Sequence, residues 1–338
     1  MSTEPFLSIC IPAYNVQKTI GHCLESIIEQ TFVDYEILIV DDGSDVPLGL
    51  DIGELNRIDL CRIKLVRQEN GGTYAARQRA IREACGRYIF CMDADDALSS
   101  SRALGHIARA LEMNSFPDVL LTNAFREDGT RCVDYSGLSN GEVKKRDVVD
   151  RFFFNRGWNS MCTMAFRRSL FSPAADRPRL LMAEDRLQKA EIFSMAETFA
   201  LFDESVYFYR EVQGSAMNSP FEPRDFYNRT YVGNEILGML DELGANRKAW
   251  ARSFNGYVAA SLFELGMDGR RSRAERLDLY PEFRNTDGCE EALAYIDCVP
   301  MWKDRVCLEA FNDRKWVLLD ALLASRRFAS KAKNLIFN

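Results

Sequence analysis

Six aspartates fall in two short runs, Asp41-Asp42-Gly43-Ser44-Asp45 and Asp93-Ala94-Asp95-Asp96. Each run follows directly on an apolar stretch, Ile37 to Val40 and Tyr88 to Met92. Carboxylates held side by side repel one another unless a cation neutralises them. Hard oxygen donors of this kind suit Mg²⁺ or Mn²⁺ bridging to a substrate phosphate. Taken singly, the first run reads equally as a polar turn, and the second as a solvated strand end with a helix cap. Between them lies Asn70-Gly71-Gly72-Thr73-Tyr74-Ala75-Ala76-Arg77. Its glycines permit close backbone approach, the helix start offers unpaired N–H groups to an anion, and Arg77 lies about one turn in. Further along, Glu184-Asp185 opens a helical stretch with Leu187, Ala190 and Phe193 on its apolar side. Acidic residues favour first turns through the helix dipole, so this pair also has a bland reading.

The elements that must position these groups alternate. Leu7 to Ile11, Glu36 to Val40, Arg62 to Arg67, Tyr88 to Met92 and Pro117 to Thr122 read as strands. Val16 to Gln30, Thr73 to Cys85 and Ser101 to Met113 read as helices between them. That order predicts βαβ units and a mostly parallel sheet, whose strand ends deliver both aspartate runs to one edge. A helix is expected near Lys144 to Phe154, a strand near Met161 to Arg167, a helix over Glu184 to Ala196 and a strand over Val206 to Arg210. Past Pro223 the periodicity is helical: Arg224 to Leu243, Arg247 to Leu265 and Arg314 to Lys333. The expected division is an α/β domain over residues 1–220 and an α-helical region over 221–338, the latter assigned to acceptor, membrane-surface or oligomer contacts.

Composition narrows the class. A chain of 338 residues buries enough surface to need no staples. The formal charge of −7 argues against a nucleic-acid partner. Ten cysteines without a C-x-x-C pair, and only two histidines, argue against structural zinc and for a reducing, cytoplasmic setting. Met1-Ser2-Thr3-Glu4-Pro5 lacks the pattern of a secretory leader. Trp316 to Ala324, broken by Asp320, is too short to span a bilayer. Arg326, Arg327, Lys331 and Lys333 interleave with Phe328 and Ala329. They read either as a solvated helix end or as a peripheral contact with the inner face of a cell membrane. Neither a G-x-G-x-x-G nor a G-x-x-x-x-G-K-[ST] motif occurs, against a dinucleotide oxidoreductase or a P-loop NTPase.

Four motifs in order, Ser8-Ile9-Cys10-Ile11-Pro12-Ala13-Tyr14-Asn15, Ile39-Val40-Asp41-Asp42-Gly43-Ser44, Asn70-Gly71-Gly72 and Asp93-Ala94-Asp95-Asp96, resemble the family 2 glycosyltransferases of GT-A fold. The likeness continues more loosely through Trp158-Asn159, Phe166-Arg167-Arg168, Glu184-Asp185 and Tyr207-Phe208-Tyr209-Arg210, and fades after residue 220. The resemblance implies an inverting, metal-dependent transfer of one sugar from a nucleotide sugar, expected to be a UDP-sugar, to a hydroxyl of a glycan or lipid-linked glycan acceptor. It places the activity, of the hexosyl- or N-acetylhexosaminyltransferase class, in bacterial surface or exopolysaccharide synthesis. It puts Pro12, Ala13, Tyr14, Asn15 and Asp42 at the base and ribose, with Tyr14 close to the uracil. Asn70, Gly72 and Arg77 would line the donor sugar. Asp95 would be the principal ligand of Mn²⁺ or Mg²⁺, with Asp93 and Asp96 assisting at ribose or metal. Asp185 matches the catalytic base.

Trp158 and Glu184 are candidate acceptor contacts. The tryptophan divides between a core aromatic and a platform for a sugar face. Many relatives carry a histidine after the Tyr-Arg segment, and here Tyr209-Arg210-Glu211-Val212-Gln213-Gly214-Ser215 has none. Arg210 and either Gln213 or Ser215 are therefore expected at the diphosphate. The Gln-x-x-Arg-Trp motif of processive synthases is absent, so a single addition per encounter is expected. Two other readings stand beside this one: a sugar-phosphate nucleotidyltransferase, which would open with a basic glycine-rich loop, and a non-catalytic nucleotide-sugar-binding protein.

Overall fold

The computed structural model describes residues 4–49, 61–155, 158–172, 177–210 and 220–336, those after residue 326 by backbone alone. Gln213, Ser215 and the side chains of Arg327, Lys331 and Lys333 lie outside the described residues. The chain divides into two compact units, Met1–Ser215 and Ala216–Asn338.

In the first unit the described residues form a nine-stranded sheet. It comprises β1 (Leu7–Ala13), β2 (Tyr35–Asp41), β3 (Ile63–Arg67), β4 (Tyr88–Cys91), β5 (Ala97–Leu98), β6 (Val119–Arg126), β7 (Gly141–Val143), β8 (Met164–Arg167) and β9 (Phe199–Tyr209). Along the sheet the order is β3-β2-β1-β4-β8-β6-β9-β5, with β7 on β9. Every residue of β1 is buried, as a continuous apolar run in the middle of a covered sheet requires. The four strands from β3 to β4 are mutually parallel. Beyond them β8 enters antiparallel to both β4 and β6.

The register places the chemistry. Ala13 pairs with Asp41 across β1 and β2, and Cys10 with Cys91 across β1 and β4. Asp42 and Asp93 therefore leave the sheet at the same edge. Because Phe90 pairs with Ala165, the residues just before β8 come to that edge as well. They form a 3₁₀ turn, Met161–Thr163, where the sequence pattern suggested continuous strand. The last strand begins at Phe199 rather than Val206. It pairs in parallel with β6, and an irregularity lets Phe202-Asp203-Glu204 pass before pairing resumes at Ser205 opposite Asn123.

Five described helices accompany this sheet: α1 (Ile20–Ile28), α2 (Thr73–Glu83), α3 (Ala103–Met113), α4 (Lys145–Phe154) and α5 (Glu184–Met195). Ile20, Cys23, Leu24 and Ile27 of α1 are buried, at the spacing of one helix face. The second unit holds α6 (Pro223–Leu237), α7 (Leu240–Leu243), α8 (Arg247–Met267), α9 (Arg273–Arg284), α10 (Cys289–Leu293), α11 (Trp302–Asn312) and α12 (Trp316–Ile336). The expected helix from Arg224 to Leu243 is interrupted at Gly238. Helix α9 contains Pro281 and was not anticipated, although Ser272 and Glu275 form a capping box at its start that the S-x-x-E pattern announces. Among the described residues no helix is long and apolar enough to cross a membrane.

Candidate active site

The ends of β1 and β2 are fastened together before any ligand arrives. Asn15 adopts a left-handed backbone conformation, donates its N–H to Ser44 Oγ at 2.9 Å and its Nδ2 to Asp45 at 3.0 Å, and accepts from the Asp45 N–H at 2.9 Å. Pro12 and Ala13 are buried, whereas the Tyr14 side chain that follows them is 47% exposed. Asp41 accepts from the Ser44 and Leu48 amides and from Arg67. Burial works against its charge, but these hydrogen bonds outweigh it and hold the carboxyl below its usual range.

Asp42 does something other than the sequence suggested. It is 3% exposed. Its Oδ1 accepts from the Gly71 N–H at 2.9 Å and Gln68 Nε2 at 2.8 Å, and its Oδ2 from the Gly72 N–H at 2.8 Å. The side chain expected at the ribose thus anchors the Asn70–Gly72 loop onto the end of β2. Gly43 shares that closure: a Cβ there would lie 2.8 Å from the Asn70 nitrogen, and its φ of +74° suits glycine.

From Gly72, φ +88°, the chain enters α2 and carries Arg77 inward until only 1% of it is exposed. Its guanidinium donates to Asp185 Oδ1 at 2.6 Å, to Gln188 Oε1 at 2.6 Å and to Asp93 Oδ1 at 3.2 Å. Two aspartates 92 positions apart in sequence thereby face each other across one cation. Burial alone would weaken the guanidinium's hold on its proton, yet Asp185 and Asp93 reverse this and raise its pKa. One cation does not satisfy the whole group. Burial, together with Asp185 and Asp95, pushes Asp93 up to about 6 despite Arg77. Burial likewise raises Asp95, only partly offset by Arg210.

Asp96 departs from its expected role at the metal. It is 1% exposed, with Oδ2 accepting from the Tyr207 hydroxyl at 2.6 Å and Oδ1 from the Arg210 N–H at 2.9 Å. Tyr207 also accepts from the Asp93 N–H at 3.0 Å. Asp96 and Tyr207 together strap the Asp93–Asp96 turn to the end of β9, so that each Asp96 oxygen is already engaged within the protein. Nothing local in Tyr207-Phe208-Tyr209-Arg210 marks Tyr207 for this, because its partners Asp93 and Asp96 lie 114 and 111 positions away in the chain.

Asp185 sits in the first turn of α5, entered through Ala183 in the left-handed conformation, φ +66°. Its side chain keeps 22% exposure, and its second oxygen accepts from the Met161 N–H at 3.1 Å. Each carboxylate oxygen retains a lone pair for a substrate proton. Glu184 beside it is driven up to about 7 by burial and by the Asp185 charge. Trp158 is not a sugar platform: it is fully buried, donates its indole N–H to the Asp134 carbonyl at 3.2 Å and packs edge-on against Tyr135. Gln188 and Lys189 escaped the sequence reading because a polar residue inside a helix carries no local mark of burial.

The donor set fits a hard divalent cation in part. Asp95 offers a half-buried carboxylate to which no described side chain donates, and Asp93 keeps one oxygen clear of Arg77. Among the described residues no three acidic, histidine or cysteine side chains form a metal cluster by themselves. Phosphate oxygens from a ligand would have to complete the coordination, which is how magnesium-type sites are built.

Residues 8–172 match the family model described as glycosyl transferase family 2. The chain carries a family 2 glycosyltransferase domain. Similar proteins include the uncharacterized glycosyltransferase EpsJ of Bacillus subtilis, 30% identical over 234 residues, 65% of each chain. The chain thus spans slightly less than two thirds of that relative. The uncharacterized glycosyltransferase YibD of Escherichia coli is 26% identical over 289 residues, 84% of this chain and 76% of the relative. Among solved structures, residues 1–349 of S. aureus TarS in complex with UDP-GlcNAc superpose with a TM-score of 0.73 at 20% identity, covering 96% of this chain and 92% of that one. The likeness establishes the GT-A fold. Within the glycosyltransferase domain the matched segment holds the two aspartate runs and the Asn70–Gly72 loop, while Asp185 and Tyr207 lie beyond it.

Proposed function

We propose that the chain transfers a single sugar from a nucleoside diphosphate sugar to a hydroxyl of a glycan acceptor, with inversion at the anomeric carbon. The observation that carries this is the Arg77 bridge, which sets Asp185 within reach of the edge where Asp93 and Asp95 emerge. Asp185 accepts the proton of the attacking hydroxyl. The hydroxyl oxygen forms its bond to the anomeric carbon as the bond to the diphosphate breaks, and the nucleoside diphosphate departs with the electron pair. One displacement needs no second carboxylate nucleophile. A divalent cation held by Asp95 with Asp93 would stabilise the charge on the leaving diphosphate as a Lewis acid. Arg77 keeps Asp185 and Asp93 in fixed relation, and the Asp42-anchored loop offers its glycine backbone beside them.

The exposed Tyr14 ring is the surface for the base, and the UDP-GlcNAc bound to TarS makes a uridine nucleotide the first donor to test. The nucleotidyltransferase reading loses ground because the end of β1 is pinned by Asn15 and carries no basic phosphate loop. The test is a thermal-shift screen of UDP-, dTDP- and GDP-sugars with and without Mn²⁺, since a ligand that binds only the folded state raises its melting temperature. A uridine sugar that stabilises the protein only with Mn²⁺, and whose diphosphate is released when a glycan acceptor is added, is the expected result. Silence across the whole set would overturn the proposal.

A further inference from the structure

We propose that Lys189 is a positioning residue for the base, gripping from one helical turn away the same Ser160–Thr163 turn whose Met161 amide holds the Asp185 carboxylate. This rests on the reading of Asp185 given above. Lys189 follows Asp185 by four residues on α5, so both side chains leave one face of that helix. The ammonium donates to the Ser160 carbonyl at 2.8 Å and to Thr163 Oγ1 at 3.0 Å. Thr163 Oγ1 donates in turn to the Ser160 carbonyl at 2.9 Å, and the Met161 N–H between them reaches Asp185 Oδ2 at 3.1 Å. With Arg77 on the other oxygen, the carboxylate is fixed at both edges.

Lys189 is 1% exposed, and no carboxylate forms an ion pair with it among the described residues. Burial pulls its pKa down to about 8, so an ammonium at this point is a cost to the fold. A thioether of similar length would fill the space without that cost. What the ammonium adds is the hold on the turn. Lys189 touches no reacting atom in this arrangement and acts through Asp185.

The test is a double-mutant cycle on the full chain. Lys189→Met is expected to lower kcat about 10- to 30-fold, in the range a small misplacement of a catalytic group costs. Donor KM and calorimetric donor affinity should stay within about threefold, as expected when only an interaction made in the transition state is lost. In an Asp185→Asn background the same substitution should lower the residual turnover by less than about twofold, because the two changes remove one function. Thr163→Val keeps the lysine and removes one of its acceptors; a loss of about threefold in kcat with the same non-additivity is expected, and this variant carries the cycle if Lys189→Met does not fold. Wild-type kcat in Lys189→Met, or losses that multiply fully in the double variant, would overturn the proposal while leaving the base assignment standing. Full turnover in Asp185→Asn alone would remove the base, and this inference with it.

Discussion

At the sheet edge of the first unit, burial pushes Asp93 up to about 6, Asp96 to about 8 and Glu184 to about 7. In the helical unit the shifts run the other way. A hydrogen bond from Arg270 brings Asp268 down to about 2. Asp320 is held below its usual range by Arg276 although burial opposes it. The difference lies in the supply of cations. Asp320 faces Arg276 at 2.9 Å and Arg273 at 3.4 Å, with the Tyr280 hydroxyl at 3.1 Å. At the edge, Arg77 is divided between Asp93 and Asp185 while Asp95 and Glu184 crowd beside them. Carboxylates matched by arginines hold a fold together. Carboxylates left short of positive charge would be stabilised by an added cation or proton, which is what the proposed reaction supplies.

Substitutions can break that comparison or sharpen it. The largest effect is expected from Asp320→Asn, which strands a nearly buried arginine and should cost the helical unit about 3–5 kcal/mol in urea unfolding. Asp93→Asn, by the same measurement, should cost less than about 1 kcal/mol, because its charge is disfavoured by burial already. Equal losses at the two positions would erase the distinction. Next comes Asp185→Asn, expected to slow sugar transfer by at least about a hundredfold, roughly 2.7 kcal/mol, with donor binding unchanged. Unaltered turnover would remove Asp185 from the mechanism. Asp95→Ala should abolish the Mn²⁺-dependent part of donor binding in calorimetry, a gain expected to be about tenfold or 1.4 kcal/mol in the wild type. Retention of that gain would reassign the cation.

The smallest effects are in pH. Asp268 has its folded pKa below the unfolded one, so its contribution is complete above about pH 4 and is lost as pH falls through about 2. The stability deficit of Asp268→Asn should therefore shrink steadily across that window. Lys189 has a folded pKa of about 8, below the ordinary 10.5. Between those values the unfolded chain binds more protons, so the wild type should gain stability relative to Lys189→Met as pH rises from about 8 to 10. A flat difference in urea midpoints would mean that the lysine is not strained by burial.

Much of the first unit was legible because its strands are short apolar runs that end in charge, and such runs reveal both their burial and their termini. The Asn-Gly-Gly turn was visible for a similar reason, since few positions demand that backbone freedom. The helical unit was harder. Pro281 disguised α9, and the polar faces of α11 carry little of the periodicity that marks a helix. At the site, Asp185 was readable only through family resemblance, because an acidic residue opening a helix is commonplace.

What the sequence determined by itself is the inventory and its destination: which residues are acidic, which runs are buried, and that two aspartate clusters leave parallel strands at one edge. Only the tertiary structure decided the division of labour among them. Asp42 and Asp96 look like ligand-binding groups in one dimension, yet they spend their oxygens on Gly71, Gly72, Tyr207 and Arg210. Trp158 lies in the core, Arg77 is a buried cation bonded to Asp185, and Lys189 a buried cation bonded to Ser160 and Thr163. The physical reason is that burial is written in the local pattern of side chains, whereas a hydrogen-bond partner is chosen by register and packing between segments far apart in the chain.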